Sequence, residues 1–210
     1  MNKTKVLLTL SLSLFLLFLL FSYFVWTHPV WGFDMAFTNF SQQLVPRSLD
    51  LPFSVVSVLG APELTGTVIF LIAGIFWLKR KYLIALGILV IIPATLIEIL
   101  IKHFLYHPGV PVSFSRNVLN FVPPSSSIQT DFGFPTGRVL RTTFLLIVLF
   151  ALSNKVIKNK GVRVVAQVLL VIFFLLLVTS RIYLGEHWFS DVLAAILLGA
   201  SAGILAILPL

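Results

Sequence analysis

"VVAQVLLVIFFLLLVTSRIYLGEHWFSDVLAAILLGASAGILAIL", residues 164–208, reads as two apolar runs with one interruption. Each run is long enough to cross a bilayer as a helix, which takes about 20 residues. The interruption, "SRIYLGEHWFSD" at 180–191, gathers Arg181, Glu186, His187 and Asp191 into one short junction. Charge at the edge of a membrane core is costly and marks function by default. The two runs predict a pair of membrane helices, and the junction between them needs a chemical reason.

The rest of the chain supports the membrane reading. Of its 210 residues, 59% are hydrophobic and 10% charged, and the mean hydropathy is +1.06. A soluble domain is nearer 45–50% apolar and about 25% charged. Spans are expected at about 6–26, 53–78, 83–105, 138–153, 164–180 and 188–208. The first run leaves the membrane through "WTHPVW", an aromatic belt, and is longer than the apolar core of a signal peptide, so it reads as an uncleaved span. No strand alternation and no repeat of 20–50 residues is visible. The expected architecture is all-α: an integral-membrane bundle of six transmembrane helices, forming one domain over 1–210.

Charge placement orients the bundle. Lys3, Lys5, Lys79, Arg80, Lys81, Lys155, Lys158, Lys160 and Arg163 fall on one side of a six-span layout. The positive-inside rule puts that side, with both termini, in the cytoplasm. The net charge of +8 is thereby explained largely by short loops pinned to a bilayer, which excludes nucleic acid as a partner. Lys102, Arg138, Arg141 and Arg181 instead lie at span ends on the outer side. Snorkelling to headgroups accounts for any one of them. Four beside the clustered acid and histidine point to a shared anion site.

There is no cysteine, so disulfides and thiolate chemistry are excluded, and no metal or cofactor site is expected. His187 and Asp191 are four apart at a helix start and share a face. A carboxylate placed so can hold one ring nitrogen and leave the other free to attack. Arg181 closes the preceding helix, and Gly185 permits the tight link. In "GFPTGRVLRTTF", 133–144, Pro135, Thr136 and Gly137 turn into a helix whose N-terminus suits phosphate, with Arg138 adding a fork of donors. In "IKHFLYHPGVP", 101–111, Lys102 sits near the outer end of the third span, with His103 and His107 close by.

Over 102–191 these elements resemble the type 2 phosphatidic acid phosphatase family, membrane enzymes that cleave lipid phosphates and isoprenoid pyrophosphates. The family's third motif is complete as Ser180, Arg181, His187 and Asp191. The resemblance implies that His187 attacks phosphorus and becomes phosphohistidine, that Asp191 orients it, and that Arg181 binds phosphate oxygens, with Ser180, Lys102, Thr136 and Gly137 around them. The second motif departs from the pattern: Arg138 stands where the family has a histidine that protonates the leaving oxygen. Arginine, with a pKa above about 12, is not an acid at neutral pH. The first motif also departs, because Gly109 and Val110 stand where Arg-Pro is usual. Arg138 can replace the lost charge, or His107 can supply a proton.

The expected function is a lipid phosphatase acting on an isoprenoid pyrophosphate, such as undecaprenyl pyrophosphate, or on a related lipid phosphate. The expected place is the outer face of a bacterial cell membrane. Two alternatives stand beside it: an impaired relative that binds anionic lipid phosphates, and a small transporter using Glu63 or Glu98. "FDMAFTNFSQQLV", 33–45, can lie flat as an interfacial helix, and the loop 112–132 has the length of a lid.

Overall fold

A computed structural model describes residues 3–28, 30–119 and 133–210. Of the loop expected as a lid, residues 120–132 lie outside the described residues. Among the described residues the chain is helical, with no strand. The helices are α1 (Lys3–Thr27), α2 (Trp31–Leu44), α3 (Asp50–Leu59), α4 (Pro62–Leu78), α5 (Tyr82–Ile88), α6 (Ile91–Phe104), α7 (Gly137–Val156), α8 (Lys160–Tyr183) and α9 (Phe189–Ala206). The protein is an all-α integral membrane bundle.

Among the described residues, five stretches are long and apolar enough to cross a membrane: α1, α5 with α6, α7, α8 and α9. A sixth is possible through the segment Arg47–Leu78, which bends by 40° between Leu59 and Pro62. The apolar run at 53–78 therefore forms two helices rather than one. Proline at the first position of α4 has no N–H to lose and suits a helix start. The break frees α3 to carry Ser54 and Ser57, both fully buried, toward the site.

The helices are not equivalent. Of the apolar stretch of α9, 67% is buried, against 6% of α8. Helix α9 is the core, clasped by α1 and α7, while α8 shows most of its surface to lipid. The α1 contact is polar as well as apolar. Ser11 Oγ donates to the Ser201 carbonyl at 2.9 Å, and Ser201 Oγ donates to the Ser11 carbonyl at 2.9 Å. In hydrocarbon a hydroxyl has no water to turn to, and small residues let helices approach closely. On the α7 side, a Cβ at Gly199 would lie 2.5 Å from the Leu140 carbonyl oxygen and 2.9 Å from Thr143 Cβ. Gly199→Ala is expected to push α9 from α7 and destabilise the fold by about 1–3 kcal/mol, read as a lower melting temperature in detergent.

The bundle has two ends. Lys3, Asn154, Lys155 and Leu210 line one groove at the first. At the second, Gln42 of α2 donates to the carbonyls of Phe114 (2.7 Å) and Tyr183 (2.8 Å). Arg116 N–H donates to the Leu184 carbonyl at 3.1 Å. These bonds tie α2 and the start of the 105–136 connection to the α8–α9 junction.

Candidate active site

The α8–α9 junction is built on one carbonyl. The N–H groups of Glu186 and His187 both donate to the Arg181 carbonyl at 3.1 Å. Gly185 adopts φ +67°, in the left-handed region, and a side chain there would strike the Phe114 backbone. The junction can therefore turn within a few residues and deliver His187 directly above the first turn of α9.

Asp191 belongs to that first turn. Its Oδ2 accepts from the Trp188 N–H at 3.1 Å, as a helix-capping carboxylate does, and lies 3.2 Å from His187 Nδ1. Such a carboxylate fixes the imidazole proton on Nδ1 and leaves the Nε2 lone pair free. Burial first, then the positive charges of Arg181, Lys102 and Arg138, hold the His187 pKa well below the usual histidine value. The ring is thus neutral and nucleophilic at neutral pH. Helix α7 is docked to the same place: the Thr136 N–H donates to the Asp191 carbonyl at 3.3 Å.

A cluster of two guanidinium groups, a hydroxyl and a carboxylate adjoins the pair. Arg181 is buried at the end of α8, and its NH1 donates to Ser57 Oγ and pairs with Glu186 Oε2. Arg138, from the first turn of α7, donates NH1 to the same Ser57 hydroxyl at 3.2 Å. Two guanidinium groups from different helices therefore share one hydroxyl, which donates to Glu186, the residue before the candidate nucleophile. Thr136 is fully buried, and its hydroxyl has no partner.

Other expected site residues stand differently. Lys102 Nζ binds Glu98 Oε1 at 2.7 Å, and Arg141 NH1 lies 3.2 Å from Glu98 Oε2. Gly137 packs against this ion cluster, where a Cβ would collide with the Glu98 carboxylate. The Ser180 hydroxyl turns back to its own helix and donates to the Leu177 carbonyl at 2.7 Å.

His107 lies on the other side of Asp191 from His187. Its Nε2 is 2.9 Å from Ser190 Oγ, 3.6 Å from Asp34 Oδ2 and 3.9 Å from Asp191 Oδ1. Its ring stacks on Phe134, and burial lowers its pKa to about 4. Asp34, in α2, accepts from the Ser190 N–H at 3.0 Å and the Ser190 hydroxyl at 2.7 Å. Burial raises the Asp34 pKa, against the opposing pull of those two bonds. His107 thus engages Ser190, with the Asp191 carboxylate 3.9 Å away.

Ser57, Glu186, Asp34 and Ser190 were not singled out as site residues from the sequence. Ser57 had one faint signal, a serine three residues after Ser54 in an apolar run, which places both on one helix face. Asp34 had another, an acid alone among aromatics. Nothing in the sequence announces that Glu186 faces Arg138 or that Asp34 reaches Ser190.

Comparison with known proteins bears on the fold and the family. No curated protein matches the chain. One solved structure aligns over 93% of this chain and 93% of its own, with a TM-score of 0.70 and 23% identity: the transmembrane PAP2 type phosphatidylglycerolphosphate phosphatase from Bacillus subtilis. That likeness establishes the fold. The PAP2 superfamily model matches residues 81–208, which span Lys102, the α7 N-terminus and the whole α8–α9 junction. With the histidine–aspartate pair and the buried arginine in that segment, the chain belongs to the PAP2 superfamily.

Proposed function

We propose that this protein is a lipid phosphatase that transfers a phosphoryl group from a lipid pyrophosphate, or a related lipid phosphate, to His187 and then to water. One observation carries the reading. Arg181, Arg138 and Ser57 converge on Glu186, next in sequence to a neutral histidine whose Nδ1 faces a buried carboxylate.

Phosphoryl transfer needs in-line attack and charge stabilisation above all. His187 Nε2 forms a bond to phosphorus as the bond from phosphorus to the leaving oxygen breaks. Asp191 stabilises the imidazolium that results. Arg181 and Arg138 draw charge from the phosphoryl oxygens, with the Thr136 hydroxyl as a further donor and Lys102 contributing positive potential. A water then attacks the phosphohistidine and releases inorganic phosphate. The positive-inside distribution supports a site on the outer face and cytoplasmic termini. A bacterial cell membrane remains the expected setting. Glu98 is paired with both Lys102 and Arg141, which favours a structural counter-ion over a transport carboxylate.

A second reading has an observation of its own. Arg138 stands where the family has an acid, and Gly109 and Val110 stand where its first motif has Arg-Pro. An impaired relative would keep the cradle and bind lipid phosphates without turnover. Phosphate release from a polyprenyl pyrophosphate by purified protein separates the two. The phosphatase releases phosphate, and activity persists well below pH 6.5 because burial keeps His187 neutral there. The impaired relative retains lipid and releases nothing.

A further inference from the structure

The phosphate cradle holds an anion of the chain's own. Glu186 Oε2 accepts from the Ser57 hydroxyl at 2.8 Å, and Oε1 accepts from Asn117 Nδ2 at 2.5 Å. Arg181 NH1 pairs with Oε2, and Arg138 NH1 lies 3.7 Å from it. These partners come from α3, the 115–119 segment, α7 and α8, so segments far apart in sequence converge on one carboxylate.

The fit is incomplete in an informative way. Arg181 Nε is buried without a partner, as is the Thr136 hydroxyl. A carboxylate brings two oxygens and one negative charge. A terminal phosphoryl group brings three oxygens and about −1.5 to −2 at neutral pH. The Glu186 side chain keeps 17% of its surface exposed, against 4% for Arg181. The carboxylate thus has a route to water that the guanidinium lacks.

We propose that Glu186 is the specificity-determining residue of the cradle. At rest it fills the phosphoryl position, and a headgroup must displace it to react. The proposal rests on the phosphatase reading and names the residue that selects its substrate class. Displacement by a phosphodiester exchanges one single negative charge for another and gains little. Displacement by a terminal phosphate or pyrophosphate gains charge and a third oxygen for the buried donors. The site therefore ignores the phosphodiester lipids that crowd around it and admits lipids ending in a phosphomonoester or pyrophosphate. A neutral residue at 186 removes the competitor and the discrimination together.

The test uses the full-length protein in detergent, titrated calorimetrically with inorganic phosphate and assayed for phosphate release in micelles with rising phosphatidylglycerol. Glu186→Gln is expected to bind inorganic phosphate at least about tenfold more tightly than wild type, a gain of about 1.4 kcal/mol. It is also expected to become inhibited by phosphatidylglycerol at mole fractions that leave wild type unaffected. Glu186→Ala should shift both readings the same way, and Glu186→Asp, which keeps the charge, should keep rejecting the phosphodiester. Wild-type turnover with equal or weaker phosphate binding in Glu186→Gln and Glu186→Ala overturns the proposal and leaves the phosphatase standing. No phosphate release by wild type, and no phosphate binding by any of the proteins, overturns both.

Discussion

His187→Ala is expected to lower phosphate release by at least about 10⁴-fold while leaving the bundle folded. Removing a covalent nucleophile from a site whose groups act as a unit costs close to the whole covalent contribution. No neighbour can replace it. His107 is buried with its Nε2 bonded to Ser190 and 3.9 Å from Asp191 Oδ1. The fold should tolerate the change, because the backbone bonds from 186 and 187 to the Arg181 carbonyl need no side chain. Elution as a single species, with a melting temperature near wild type, would separate a chemical defect from a folding one.

The second large effect concerns the leaving group. A lipid pyrophosphate is expected to be hydrolysed about 10²–10⁴-fold faster than the corresponding monophosphate, the range that general acid catalysis ordinarily contributes. An alkoxide leaving a monoester needs a proton, and Arg138 stands where the family's proton donor would be. A lipid phosphate leaving a pyrophosphate has a second pKa of only about 6 and departs without help. Arg138 donates to Ser57 at 3.2 Å, a position from which it neutralises charge and delivers no proton. Restoring the acid with Arg138→His should raise the monophosphate rate far more than the pyrophosphate rate. Equal rates on both substrates in the wild type would show that another group protonates the leaving oxygen.

The parts of this site that could be read in the sequence are those held by one short segment. Ser180, Arg181, His187 and Asp191 lie within a single helix–turn–helix junction, where spacing alone decides which side chains share a face. The six apolar runs announced a membrane bundle for a similar reason, since span length is set by bilayer thickness. The break at Gly60–Ala61–Pro62 was also written in turn residues, but the apolar run on both sides obscured it. What escaped was contact between distant segments. Ser57 meets Arg138 and Arg181 only because α3, bent by 40° from α4, packs against the ends of α7 and α8. Asp34 meets Ser190 only because α2 packs over the start of α9. His107 illustrates the limit well: its residue type suggested a proton donor, while the structure engages its Nε2 with Ser190. Lys102 and Ser180 show the converse, since the motif names them and the structure engages them with Glu98 and with Leu177.

The central claim is that His187 itself takes the phosphoryl group, and trapping that adduct tests it most directly. Purified protein would be mixed briefly with polyprenyl pyrophosphate carrying a labelled terminal phosphate, then denatured in alkali. The account predicts label on the wild-type protein that survives alkali, is released by acid, maps to His187 and is missing from His187→Ala. Turnover without any labelled protein, or label that persists in His187→Ala, would contradict it.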